Sequence, residues 1–131
     1  MNVILFNGAT LGFLALCMGT YLDHVLKISL DQRAQHIMQT ALHYHQWHAL
    51  LIVVLGLCFY APLTKKLRIH LAMSAWLITF GVLLFSFSLY LSVMTGLTWM
   101  TSFAPVGGVT LMLGWVSLMW LSLKPLQHKV I

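Results

Sequence analysis

Four long, uncharged and largely apolar stretches leave this chain few ways to fold. They cover residues 3–22, 44–63, 71–94 and 103–123. Each is close to the roughly 20 residues a helix needs to cross a hydrocarbon layer about 30 Å thick. Inside lipid the backbone must bond to itself, so each stretch is predicted to be a transmembrane helix. Little of the 131 residues remains for anything else, and only 7% of them are charged. A soluble domain carries about a quarter. The sequence therefore predicts one all-α integral membrane domain over residues 1–131, an antiparallel four-transmembrane-helix bundle.

The formal charge of +5 does not signal nucleic acid, because the seven Lys and Arg sit where membrane topology puts them. Lys65, Lys66 and Arg68 lie between the second and third stretches, and Lys124 and Lys129 in the tail. Lys27 and Arg33 are offset by Asp23 and Asp31, and residues 95–102 are uncharged. Positive-inside counting puts the N- and C-termini in the cytoplasm. The first stretch is expected to be a retained helix, since it lacks a basic start and a small-x-small cleavage site. In this arrangement Cys17 and Cys58 sit about 8 and 20 Å below the same surface, at roughly 1.5 Å per residue. That is too far apart for a disulfide.

Between the first two spans, residues 30–43 read as an amphipathic helix. Leu30, Ala34, Ile37, Met38 and Ala41 share one face, and polar residues cover the rest. Ser29 with Gln32 has the form of a capping box, so the helix is expected to begin near Leu30. It either lies at the membrane surface or runs unbroken into the second span.

The run HYHQWH, residues 43–48, meets the second span at its start. Only 15 apolar residues follow, about 22 Å of helix. The span must borrow Tyr44 to His48, which places these histidines at the outer interface or just beneath it, facing away from the cytoplasm.

Helices in lipid meet through small residues. Gly8, Gly12, Ala15 and Gly19 form one such stripe, and Gly107, Thr110, Gly114 and Ser117 another. Gly108 adjoins the second. Ser74, Gly81 and Ser88 recur at heptad spacing in the third span, and Gly56 marks the buried side of the second. His48, Ile52 and Gly56 share a face, so His48 is expected to point into the bundle.

Four segments carry a family resemblance: GTYLDHVLK, TALHYHQWHALLI, GVLLFSFSLYLSVMTG and APVGGVTLMLGWVSL. In this order they resemble motifs of the domain-of-unknown-function 423 family, small four-helix inner-membrane proteins. The chain departs from the family pattern at Leu22 and Asp23, where the family has a small Gly-Ala pair, and at Phe87, where it has Gly. The resemblance implies the fold and an inner-membrane location. It carries His24, Tyr44, His48, Ser86, Ser88, Tyr90, Pro105, Gly107 and Gly108 over as the family's polar and close-packing positions, without an activity.

The candidate site is the histidine cluster. Tyr44 and His48 are spaced i, i+4 and His45 and His48 i, i+3, on adjacent turns of one face. Asp23 and His24 continue the first stripe, and His24 with His48 would be the cross-helix pair. Imidazoles on facing helices hold metals or haem in bundles, and Met94 and Met100 would suit copper. The plainer reading is a hydrogen-bond network among these side chains. Ser86, Ser88 and Tyr90 read as packing glue, or as the lining of a solute path. Ala104-Pro105 reads as a helix start, with a broken helix as the alternative. No Asp, Glu, Lys or Arg falls inside the four spans, against ion coupling.

These features point to a non-enzymatic accessory scaffold or subunit in contact with the lipid bilayer, a homo-oligomer or part of a larger membrane complex. The alternative is a copper-, iron- or haem-binding redox protein using His24, His48, His45, Asp23 and Tyr44. A small-solute channel or carrier comes third.

Overall fold

The computed structural model describes residues 1–123. It contains four helices long and apolar enough to cross a membrane: α1 (Val3–Ser29), α2 (Gln32–Cys58), α3 (Lys65–Thr95) and α4 (Thr98–Ser122). Those described residues hold no strand. The protein is an all-α membrane protein of four spanning helices. Lys124 and Lys129, counted with the basic tail, lie outside the described residues.

Each helix end follows from local chemistry. Asn2 caps α1, its side chain accepting from the Leu5 N–H, and its amide also donates to the Gly56 carbonyl at 2.7 Å. Asp31 caps α2 by accepting from the Ala34 N–H at 2.7 Å. The expected Ser29 cap is not used, because the Ser29 hydroxyl donates back to the Leu26 carbonyl. Residues 32–43 are not a separate surface helix but the first turns of α2, so the amphipathic segment runs unbroken into the span. That helix stops at Cys58 rather than at residue 63. Three tight turn bonds follow, and Pro62 has no N–H with which to continue. Gly96, with φ of 71°, closes α3 in the left-handed region. α4 opens with a 3-10 turn, Thr98–Phe103, and then continues from Ala104 without interruption, with Pro105 in its first turn. No re-entrant break is present among the described residues.

Glycines set two antiparallel hairpins. A Cβ at Gly8 would lie 2.7 Å from the Val53 nitrogen, and one at Gly56 2.6 Å from the Leu5 backbone. Gly81 against Leu111 and Gly114 against Ile78 do the same for α3 and α4, as does Gly107 against the Leu84–Phe85 backbone. The expected stripes are only partly contacts. Gly12 faces open space, Gly108 has only the Phe85 ring at 3.9 Å, and Gly19 meets Leu42 at an ordinary 3.4 Å. In a helix of 3.6 residues per turn, members three and four residues apart point in slightly different directions, so only some positions of a stripe meet the partner.

The hairpins join through a basic-half core of Ile4, Leu11, Ile52, Leu55, Ile78, Val82 and Leu111. A smaller cluster of Leu22, Met38, Ala41 and Tyr90 closes the opposite end. Two π turns, Leu22–Leu26 and Leu83–Phe87, flank that second cluster. They contain both departures from the family pattern. Leu22 is buried, and Phe87 packs against both clusters. The extra residue in each π turn re-aims the neighbouring side chains and makes room for this bulk.

Asn7 ties α1 to α3 by donating to the Thr79 hydroxyl at 2.7 Å. Ser74 and Ser117 bridge α3 and α4 at 2.7 Å. Replacing Asn7 with Leu is expected to cost about 1 kcal/mol, the scale of one interhelical hydrogen bond in lipid. Reversible unfolding in mixed micelles measures it, and a Thr79→Val background should remove most of the effect. The thiols Cys17 and Cys58 are both free.

Candidate functional site

Depth in the membrane follows from the α1–α2 register. Gly8 packs on Val53 and Gly19 on Leu42, so each step along α1 is matched by one step back along α2. His48 therefore stands opposite Phe13, at the middle of the apolar part of α1. It is also ten positions from the end of α2, about 15 Å, half of a 30 Å hydrocarbon layer. On that count His48 lies near the middle of the apolar spans, at the level of a bilayer midplane, and not at their outer end. The sequence expectation misplaced it because it ran the span on to residue 63.

By the same register His24 stands opposite Ile37, eleven positions or about 16 Å from His48 along the axis. The structure does not bring these two together. Asp23 and His24 are exposed in the π turn of α1, and no hydrogen bond or ion pair joins them to the cluster among the described residues. Met94 and Met100 lie at that same end, in the last turn of α3 and the 3-10 turn beyond it. Among the described residues no three His, Cys, Asp or Glu side chains gather as a metal cage would require.

What the fold assembles instead is an aromatic polar group on α2, α3 and α4. The Trp115 indole N–H of α4 donates to His48 Nε2 at 3.2 Å. With Nε2 accepting, the ring proton sits on Nδ1, which donates to the Tyr44 carbonyl at 2.7 Å. Both imidazole nitrogens are thereby committed in the neutral tautomer, and a second ring proton would face the indole N–H head on. The Tyr44 ring stacks on His48, with centroids 5.9 Å apart, and leans on Phe85 at 4.5 Å.

His45 faces α3. Its Nδ1 lies 3.2 Å from the Tyr90 hydroxyl, and its ring packs on Phe87. His45 and Tyr90 are nearly inaccessible, at 1% and 2% exposure. Among the described residues the buried Ser86 hydroxyl has no hydrogen-bond partner and His45 Nε2 none of good geometry, with the Leu11 backbone of α1 near the His45 ring. The neighbouring Ser88 is satisfied locally, its hydroxyl donating to the Phe85 carbonyl. Tyr44, His45 and His48 thus do share one assembly, together with Tyr90, while Asp23 and His24 stand apart. Trp115, Phe85 and Phe87 are members that sequence reasoning missed. Their signal was present in the GW of the fourth motif and the FSF of the third, but nothing in the spacing tied them to the histidines.

Beside this group a cleft of about 700 Å³ opens between α2 and α4, lined by Tyr44, Trp47, His48 and Trp115, with His43 and Leu50 also on its wall. It faces outward at membrane depth, and its walls are apolar and aromatic.

Comparison with known proteins agrees with this architecture. Residues 18–108 match the family model described as "Protein of unknown function (DUF423)". A UPF0382 membrane protein of Staphylococcus epidermidis is 30% identical over 95% of this chain and 98% of its own length. One from Haemophilus influenzae is 32% identical over 86% and 87%. A UPF0382 inner membrane protein of Escherichia coli is 30% identical over 86% and 82%. No solved structure matches.

Proposed function

The chain belongs to the DUF423 family of membrane proteins, and we propose that it serves there as a non-enzymatic accessory scaffold. In this reading it is a small subunit whose polar side chains hold helices together instead of carrying out chemistry. The observation that supports it is the state of His48. Its Nδ1 is spent on the Tyr44 carbonyl and its Nε2 on the Trp115 indole, so no lone pair remains for a metal, a haem iron or a substrate proton. The name of the Escherichia coli relative favours the inner membrane. The basic residues Lys65, Lys66 and Arg68 favour a cytoplasmic N-terminus.

The redox reading retains one support, the buried imidazole of His45, although the Leu11 backbone of α1 competes for its ring nitrogen. Elemental analysis and an absorption spectrum on gently solubilised native protein separate the two. The scaffold reading expects less than about 0.1 equivalent of copper or iron, no Soret band and a fixed set of co-purifying membrane proteins. Stoichiometric metal or haem that is lost in a His45→Ala or His48→Ala variant would replace it with the redox reading.

A further inference from the structure

One face of α2 is left unexplained by the fold. His36, Gln39, His43, Gln46 and Leu50 recur at spacings of three, four, three and four, and Leu57 continues the series one heptad beyond Leu50. All six are exposed. The four polar members make no hydrogen bond with any described residue, Gln46 only approaching Gly19. Taking His48 at the midplane, Gln46 lies about 3 Å and His43 about 8 Å above it, inside the hydrocarbon. Gln39, at about 14 Å, sits at its edge. A polar group turned toward acyl chains at that depth has no water to bond and costs several kcal/mol. The neighbouring Trp47 indole, 71% exposed and also without a partner, adds a further unmet donor. Trp normally sits at the interface rather than near the midplane.

We infer that this stripe is a self-association seam, along which α2 packs in parallel against α2 of a second copy of the chain. Three features select a second copy over another occupant. A three-four repeat is the seam of a left-handed helix pair. Two copies inserted the same way are related by an axis along the membrane normal, so every residue meets its own counterpart at equal depth. Every polar member is then self-complementary. A Gln amide and a neutral imidazole are each donor and acceptor at once, so Gln46 pairs with Gln46 and His43 with His43, with no opposite charge required. Leu50 and Leu57, both more than half exposed, extend the contact toward the basic end. An acyl chain could not answer the polar half.

The inference rests on the scaffold reading and gives it a partner. The test uses the full-length protein in native membranes, with Cys17 and Cys58 changed to Ser and one cysteine introduced. Under mild oxidation, Gln46→Cys is expected to give mostly covalent dimer. Phe13→Cys, opposite His48 in depth but on the outer face of α1, should stay monomeric. As a second measurement, His43→Leu with Gln46→Leu keeps the helix apolar and folded and should weaken dimerisation in bilayers about tenfold. Equal cross-linking at both positions, or undiminished dimerisation of the double Leu variant, overturns the seam. So does a monomeric protein whose stripe is covered by a different co-purifying protein, an outcome that leaves the scaffold reading standing. A dimer that also carries stoichiometric metal keeps the seam and removes that reading.

Discussion

Replacing Gly107 with alanine is expected to separate α3 from α4 and cost about 3 kcal/mol, the upper end of the overpacking range. The added methyl would overlap the Phe85 backbone nitrogen and lie 2.8 Å from the Leu84 carbonyl carbon and the Phe85 Cα. These are backbone atoms in the middle of a helix, so no rotamer change relieves the clash. Only movement of α4 does. That movement would also carry Trp115 away from His48 and lengthen its 3.2 Å hydrogen bond. The neighbouring Gly108 supplies the control, because a methyl there meets nothing nearer than the Phe85 ring at 3.9 Å. Gly108→Ala should be neutral to within about 0.5 kcal/mol, helped by the better helix propensity of alanine. Unfolding in mixed detergent micelles compares the two, and equal stabilities would mean that the α3–α4 contact is not where the structure puts it.

The second large effect concerns the pair at the bilayer midplane. His48→Leu keeps a branched side chain of similar size under the Tyr44 ring but leaves the Trp115 N–H without an acceptor. A polar group stripped of its partner away from water costs about 1–3 kcal/mol, so a loss of about 2 kcal/mol is expected for this indole at membrane depth. Trp115→Phe alone should cost less, since it strands only the Nε2 lone pair. Replacing both partners with apolar groups can be nearly neutral. Adding Trp115→Phe to His48→Leu should therefore recover about 1 kcal/mol, a coupling of opposite sign to simple accumulation of damage. If the double variant is less stable than either single one, His48 and Trp115 are not bonded to each other.

The sequence carried the fold further than the site. Four uncharged apolar runs dictated four spans, and the bundle needed no tertiary information to be anticipated. The site was legible only in part. Tyr44, His45 and His48 were recognisable as one helical face, since the i, i+3 and i, i+4 spacings are properties of one element. His24 was drawn in wrongly for a reason of length. Counting α2 to residue 63 ignored Pro62 and moved His48 outward, close to a residue that in fact lies about 16 Å away along the axis. Glycine stripes showed the same limit. Periodicity singled out Gly8 and Gly12, and the fourth motif Gly107 and Gly108, but of these four only Gly8 and Gly107 meet a backbone.

Composition and local spacing determined that this chain lives in a membrane, how many times it crosses, and which residues share a face, because those quantities depend on one helix at a time. Which partner each face meets was decided by the antiparallel register and by where the helices end. These set Trp115 against His48 and Tyr90 against His45, and left the Gln and His stripe of α2 uncovered. A bond between helices is a relation of two positions far apart in the chain, and no window along a single sequence contains it.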